Sequence, residues 1–319
     1  MMNLVLDQLL LMPKIKKILI TGGLGCLGLN LAIHFSNKGY NVSLVDNLTT
    51  NVISPNSIPR ALLFFFCDIQ NFDQLEKIFE FIKPDFVIHS AASYDNPKNW
   101  IRDIKTNVEG ITNLIKLSEK YYVKKFINFQ TIHCYKSKKK IDEKCDKLPL
   151  ESYSISKVAA EELLTISSLN FISLRLTIVF GPWHFNGPIP IFYKKIFKKQ
   201  HCLISQSYRD FIYMEDFLRL IDKLLEIKKY DTSIFNVSSG KLYSIEEIFN
   251  KISKLMNKKT DFTLLKEKET KININSNKIR KFANWRPIHN INEGLRKQIL
   301  WFNENFVGES HSHNILKNE

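Results

Sequence analysis

The stretch Thr21-Gly22-Gly23-Leu24-Gly25-Cys26-Leu27-Gly28 leaves this chain few folds to choose from. It follows an apolar, strand-like run, "KILIT" (17–21), and opens a segment in which Leu29, Leu31, Ala32 and Phe35 share one helical face. That segment stops at Lys38-Gly39, a basic last turn followed by glycine. Gly22, Gly25 and Gly28 are spaced G-x-x-G-x-x-G. Such spacing permits a tight turn, lets backbone approach a phosphate closely, and packs the helix against the strand. The helix N-terminus then presents its unpaired N–H groups to the anion. The consequence is a strand–turn–helix unit with a phosphate site at its corner.

The alternation continues along the chain. "NVSLVD" (41–46), "LLFFFCD" (62–68), "DFVIHSA" (85–91), "KFINFQT" (125–131) and "FISLRLT" (171–177) read as further strands. Between them lie helical patterns, among them "FDQLEKIFEFI" (72–82), "NVEGITNLIKLSEKY" (107–121) and "SISKVAAEELL" (154–164). Continuous apolar strands alternating with helices predict an α/β fold: a Rossmann-type, doubly wound parallel sheet with helices on both faces. Past about residue 178 the pattern loosens into a Pro/Gly-rich loop, "GPWHFNGPIP" (181–190), mixed short elements and a helix near 291–306. The expected organisation is a nucleotide-binding domain over 15–177 and a smaller mixed α/β substrate domain over 178–306. Within the latter, some segments, at about 208–240, are expected to return to the large sheet. Residues 1–14 read as an N-terminal extension and 307–319 as a polar tail.

Composition narrows the function. The formal charge of +14 comes mostly from lysine in short separate runs such as "KSKKK" (136–140) and "KKIFKK" (194–199). No aromatic-interleaved stripe accompanies them, so no nucleic-acid partner is expected. No run reaches the ~18 to 20 apolar residues of a membrane span. The start "MMNLVLDQLLLMPK" lacks a basic n-region and a small-residue cleavage site, so neither membrane nor signal peptide is expected. Cys26, Cys67, Cys134, Cys145 and Cys202 form no C-x-x-C pair and no metal-ligand spacing. Free thiols, a reducing cytoplasm and no bound metal follow.

Asp46 ends the second strand about 20 residues past the glycines, where a carboxylate binds adenosine ribose hydroxyls and repels a 2′-phosphate. That favours NAD over NADP. Farther on, Tyr153 and Lys157 stand four residues apart on one helix face. A nearby ammonium favours the phenolate, and a phenol so poised can exchange a proton with a substrate hydroxyl while hydride passes to the cofactor. By itself this spacing is common, but here it lies 22 residues after Thr131, in a chain with the phosphate loop and the acidic strand end.

At this point the sequence resembles the extended short-chain dehydrogenase/reductase superfamily, in particular its NAD-dependent nucleotide-sugar epimerases and dehydratases. The likeness runs from about 16 to 306 and includes "CDI" (67–69), "HSAAS" (89–93), "TNVEG" (106–110), "LRLTIVFGP" (174–182), "RDFIYMED" (209–216), "NVSSGK" (236–241) and "NWRP" (284–287). It implies a catalytic triad of Thr131, Tyr153 and Lys157. It implies a cofactor cleft lined by Gly22, Gly25, Cys26, Leu27, Gly28, Asp46, Asn47, Asp68, Ile69, Ala91, Ala92 and Asn107, with Tyr153 and Lys157 also touching NAD. Ser93, His133, Ile178 and Arg209 would meet the nucleotide sugar, Arg209 at its diphosphate. A homodimer through the helices at about 107–121 and 153–166 is implied as well.

Within that family the residues after the catalytic threonine separate the reactions. The 4,6-dehydratases carry Asp-Glu there, to eliminate water across C5 and C6. This chain has Ile132 and His133, and a hydrocarbon cannot protonate a leaving hydroxyl. Decarboxylating relatives need Glu at the second position, and 3,5-epimerase/reductases have Cys there. C4 epimerisation needs only the triad, held NAD and room for the keto-sugar to turn over. The alternative is a nucleotide-sugar 4-reductase/3,5-epimerase or another NAD(P)-dependent sugar oxidoreductase, since imidazole titrates near neutrality and His133 could move a proton. "SAASYDNPKNW" (90–100), "FQTIHCY" (129–135) and "GPIPIFYKKI" (187–196) further resemble bacterial epimerases of O-antigen and surface-polysaccharide gene clusters, which act on UDP-activated hexoses, N-acetylhexosamines or uronic acids. Lys136, Ile178 and Phe180 depart from the usual Gly, Asn and Tyr. Cys134 is expected to be buried, and Tyr135 to line the cleft.

Overall fold

The structure is a computed structural model that describes residues 15–50, 52–94, 98–136, 140–227, 232–266 and 269–305. The extension expected at 1–14 and the tail expected at 307–319 lie outside the described residues. Strands β1 (Lys17–Thr21), β2 (Asn41–Asp46), β3 (Leu63–Phe66), β4 (Phe86–His89), β5 (Lys125–Thr131), β6 (Phe171–Leu176) and, much later in the chain, β10 (Ser233–Val237) form one seven-stranded sheet. Its order is β3-β2-β1-β4-β5-β6-β10, and every pairing in it is parallel. The order reverses direction between β1 and β4, so a crevice opens beyond the carboxyl ends of those strands, the usual ligand position in such sheets.

Alternate strand residues supply two cores. Ile18, Ile20, Leu44 and Ile127 pack on one face with Leu31 and Phe35 of α1 (Cys26–Asn37). Leu19, Val45, Val87 and Phe126 pack on the other with Leu75 and Phe79 of α2 (Phe72–Ile82). A short helix α3 (Trp100–Ile104) runs through a π-helical turn (Lys105–Glu109) into α4 (Gly110–Lys120), and α5 (Ser152–Thr165) lies beside them. Ile111 and Leu114 of α4 and Ala160 and Leu164 of α5 complete the second core. The two-residue period of the strands thus puts hydrocarbon on both faces, which is what a doubly covered parallel sheet requires.

Beyond β6 the elements are β7 (Ile178–Phe180), α6 (Pro188–Phe197), β8 (Cys202–Ile204), β9 (Ser207–Tyr213) and α7 (Met214–Glu226). After β10 come β11 (Leu242–Ser244), α8 (Ile245–Met256), β12 (Phe262–Leu264), β13 (Thr270–Lys271), α9 (Asn277–Phe282) and α10 (Ile291–Asn305). Strand β9 pairs with β7, β11 and β13, and Phe180, Phe192, Phe211, Phe249 and Phe302 centre a third core there. Two buried aspartates tie this region together. Asp210 accepts from the backbone N–H groups of Ser239 (2.7 Å), Gly240 (2.8 Å) and Lys241 (3.0 Å). Asp216 accepts from those of Ile288 (2.9 Å) and His289 (3.0 Å), while its carbonyl accepts from Trp285 Nε1. These bonds give the segments "RDFIYMED", "NVSSGK" and "NWRP" a structural reason to occur together.

Candidate active site

The glycine loop joins β1 to α1 at the crevice. Gly22 adopts φ +63°, and a Cβ there would lie 2.6 Å from the Ala91 nitrogen. A Cβ on Gly28 would lie 2.2 Å from the Gly22 carbonyl oxygen. A side chain at either position is therefore excluded by backbone. At Gly25, which caps α1, an added Cβ would meet only the Gly22 oxygen at 3.2 Å. The space it would fill lies beside the unpaired N–H groups of the first turn, which include Cys26, Leu27 and Gly28. That cradle fits a pyrophosphate. Burial pushes the Cys26 thiol up to about 12, so it is a packing group and not a nucleophile.

Asp46 is buried at the end of β2, and its two oxygens accept from Leu24 N–H (3.0 Å) and Leu48 N–H (2.8 Å). It therefore braces the glycine loop itself. Asn47 donates to Asp68 at 2.8 Å, and Asn113 Nδ2 donates to the carbonyls of Ile69 (3.0 Å) and Gln70 (3.1 Å). Gly110 leaves room for Ile69, whose Cδ1 would be 2.5 Å from a Cβ there. The residues expected around the adenosine are thus assembled along one rim of the crevice.

On the other side of β1, β5 ends in Thr131. The His133 N–H donates to Thr131 Oγ1 at 3.2 Å, and the Thr131 side chain lies near enough to the Tyr153 phenol to lower its pKa. Because backbone already occupies one lone pair of the threonine oxygen, its O–H is free to donate toward the phenol. Burial, with Tyr94 and the Asp103 carboxylate nearby, raises the Tyr153 pKa, and the Thr131 side chain opposes that rise. Lys157, one turn on and buried, is pushed down to about 8 by burial, with Glu161 opposing. It is still a cation at neutral pH. Gln130 donates to the Lys157 carbonyl at 2.6 Å and accepts from Thr131 N–H at 2.7 Å. His89, at the end of β4, bonds Thr21 Oγ1 at 2.8 Å; burial and the Lys157 charge hold it neutral.

A family model, described as the NAD dependent epimerase/dehydratase family, matches residues 18–238. The chain belongs to that family. Its sequence is 28% identical to a putative UDP-glucose 4-epimerase of Methanocaldococcus jannaschii over 90% of this chain and 99% of the relative. It is 29% identical to a UDP-glucuronate 4-epimerase of Thermodesulfobacterium geofontis, over 90% and 96%. Among solved structures, the Bordetella bronchiseptica enzyme WbmG in complex with NAD superposes with a TM-score of 0.85 at 33% identity, covering 92% of this chain and 97% of that one.

Family membership makes the neighbours of Tyr153 the place to look for a substrate pocket. His133 is exposed, and the protein around it together with the Arg209 cation favours its neutral form, while Glu151 opposes. Arg209, on β9, donates to the Tyr208 carbonyl at 3.0 Å and to Thr270 Oγ1 at 3.2 Å. Ile178 is half-buried on β7 against the third core. Ser93 corrects an expectation: it is 2% exposed, and its hydroxyl is committed to Asp103 at 2.7 Å. Tyr135 is a second correction. It is buried, and its hydroxyl donates to Asn236 at 2.9 Å and accepts from Arg175, which pairs with Glu161. Cys134 is buried as expected, and its thiol is raised to about 12.

Three residues that the sequence did not single out also belong here. The Tyr94 ring packs edge-on to Tyr153 at 6.2 Å, and Asn186 donates to the Tyr94 hydroxyl at 2.9 Å. Asp103, 1% exposed, accepts from Ser152, the residue before Tyr153, at 2.6 Å. One sequence signal could have found it: a carboxylate four residues before Asn107, in a segment otherwise marked by Trp100, Ile101 and Ile104.

Proposed function

We propose that the protein is an NAD-dependent UDP-sugar 4-epimerase, inverting C4 of a UDP-hexose, UDP-N-acetylhexosamine or UDP-uronic acid for surface-polysaccharide synthesis. One observation carries this reading. Thr131 and the buried Lys157 cation flank Tyr153, with the Thr131 side chain near enough to lower the phenol's pKa, and the two positions after Thr131 hold a buried Ile132 and an exposed His133 in place of a carboxylic acid pair. The UDP-sugar 4-epimerases among the relatives support it, as does the solved complex of WbmG with NAD and UDP.

The glycine cradle, Asp46, Asn47, Asp68, Ile69, Ala91, Ala92 and Asn107 would hold NAD, which when bound accepts hydride from the sugar C4 and returns it to the opposite face. Tyr153 takes the C4 hydroxyl proton and later gives it back. Lys157 stabilises the phenolate by its charge, and Thr131 donates a hydrogen bond to it. Arg209 offers the diphosphate a planar, permanently charged donor. His133 and Ile178 shape the sugar pocket. The acid pair that would carry C5–C6 elimination is replaced by Ile132 and His133, so the 4-keto sugar is reduced again after turning over. The thiols of all five cysteines are free, in keeping with a cytoplasmic enzyme. No helix among the described residues is long and apolar enough to cross a membrane.

Trp100, Ile101 and Ile104 of α3 and Ile155 of the adjacent α5 are exposed, which supports a homodimer through this face. Light scattering on the purified chain checks it.

The function is tested by incubating the purified protein with UDP-glucose, UDP-N-acetylglucosamine and UDP-glucuronate in D2O and resolving products by NMR. Inversion at C4, without deuterium on the sugar ring and without net NADH change, is expected. Deuterium at C3 or C5, or net consumption of added NADH, would mark a 3,5-epimerase or 4-reductase and overturn the reading.

A further inference from the structure

Two pairs of polar residues bridge the helices beside the active site like rungs. Asp103 and Asn107 are four apart on α3 and its π-helical turn; Ser152 and Ser156 are four apart on α5. Asp103 Oδ2 accepts from Ser152 at 2.6 Å, and Asn107 Nδ2 donates to Ser156 Oγ at 2.9 Å. Ser93 sits between the rungs: its hydroxyl donates to Asp103 Oδ1 at 2.7 Å, its N–H to Asn107 at 2.8 Å, and its carbonyl accepts from Asn107 at 2.9 Å. Each rung on α5 is followed by one member of the proton-transfer pair, Ser152 by Tyr153 and Ser156 by Lys157.

A carboxylate this deeply buried is costly unless donors meet its oxygens, and here each oxygen receives one hydroxyl. The start of α5 does not need it, since the Glu151 N–H already donates to Ser154 Oγ at 3.2 Å. The π-helical turn is a second sign of function, because such turns insert a residue to re-aim side chains and recur at sites. We propose that Asp103 is a positioning residue for proton transfer: its carboxylate clamps Ser152 to Ser93 and so fixes the turn that aims Tyr153 at the substrate. This rests on the epimerase reading above, because it takes Tyr153 as the proton carrier. A small loss of aim at the reacting atoms costs rate more than binding.

The experiment is a double-mutant cycle on the full-length protein, measuring C4 inversion of whichever UDP-sugar it turns over. Asp103→Ala and Ser152→Ala should each lower kcat by about tenfold or more while KM changes by about threefold or less. The double variant should be about as slow as either single, because both remove one rung. Asp103→Asn, which can still accept from one serine and donate to the other, should recover most of the rate. Wild-type kcat in Ser152→Ala, or a double variant that loses the product of the two single losses, would overturn the proposal. Amide hydrogen exchange over 152–157 reads the clamp without activity. Faster exchange in Asp103→Asn/Ser152→Ala than in Asp103→Asn is expected, and equal exchange would overturn it. An inactive wild-type enzyme with the expected exchange change would instead count against the epimerase reading alone.

Discussion

Gln130 and Lys157 are fastened together: the Gln130 side-chain amide donates to the Lys157 carbonyl at 2.6 Å while its oxygen accepts the N–H of Thr131. One side chain therefore spans from the strand end that delivers Thr131 to the helix turn that delivers Lys157. A serine at 130 is too short for that span, so Gln130 and its two bonds form a unit. Replacing it with leucine keeps the volume and takes from the buried Thr131 N–H the acceptor it has here, at about 1–3 kcal/mol, while the Lys157 carbonyl keeps its helical bond. Gln130→Leu is expected to lower the thermal midpoint by roughly 2 °C or more and to reduce kcat. A melting curve and turnover that both match wild type would contradict the arrangement.

Tyr153→Phe keeps the ring and its edge-on contact with Tyr94 but removes the proton carrier. Turnover should fall by about 10²–10⁴ while NAD still copurifies. Thr131→Val acts differently. The Thr131 side chain lowers the Tyr153 pKa, so its loss raises that pKa further and moves the acid limb of the kcat–pH profile to higher pH. An acid limb that stays put or moves down would exclude this role for Thr131.

Lys157 predicts an inverse relation between activity and stability. Burial lowers its pKa to about 8 from the usual 10.5. The unfolded chain therefore binds the proton more tightly, and the folded state carries a penalty on the order of 1–3 kcal/mol wherever lysine is charged in both states. That penalty is full below about pH 8, shrinks as pH rises between the two values, and is gone above the unfolded pKa. Lys157→Met should thus be inactive yet more stable than wild type at pH 7, with the difference closing by about pH 10.5. Denaturant titrations at the two pH values measure it.

The large sheet was legible because its strands are long apolar runs bounded by turn residues. The runs at 17–21, 41–46 and 125–131 coincide with β1, β2 and β5. Of the segments expected at about 208–240 to return to that sheet, β10 does, whereas the seven-residue β9 pairs with β7, β11 and β13 instead, and the remaining strands from residue 178 on were not legible. β7, β8, β11 and β12 have three residues each and β13 has two, too few to show a period. Tyr153, Lys157 and the glycines could be read because their chemistry depends on local spacing. Ser93 and Tyr135 were misjudged because neighbours decide which way such side chains turn. Asp103 binds one partner 10 residues away and another 49 away, and Arg175 binds Tyr135 across 40. No local window contains such pairs.

Asp46 carries a prediction that sequence alone would have stated differently. A carboxylate chosen only to meet a ribose would tolerate asparagine fairly well. Here both oxygens accept backbone N–H groups, from Leu24 and Leu48. An amide offers one acceptor and sets its NH2 against the other N–H, so the glycine loop loses a brace. Asp46→Asn should release copurified NAD nearly as fully as Asp46→Ala. Absorbance of the supernatant after denaturation quantifies the nucleotide, and full retention by the Asn variant would refute the bracing role.

Ile132 is 5% exposed and packs with Cys134, Tyr135, Ile141 and Ile274, so its side chain belongs to a small core behind the cleft. Grafting an acid pair, Ile132→Asp with His133→Glu, would bury a carboxyl among hydrocarbon at a cost of several kcal/mol. The variant should lose stability and form no 4-keto-6-deoxy sugar, whereas His133→Glu alone, at an exposed position, should fold normally. A stable double variant that eliminates water would show that two side chains suffice to choose between epimerisation and dehydration. Failure of the graft would locate the choice in the packing beneath position 132, where the first residue after Thr131 faces inward onto hydrocarbon.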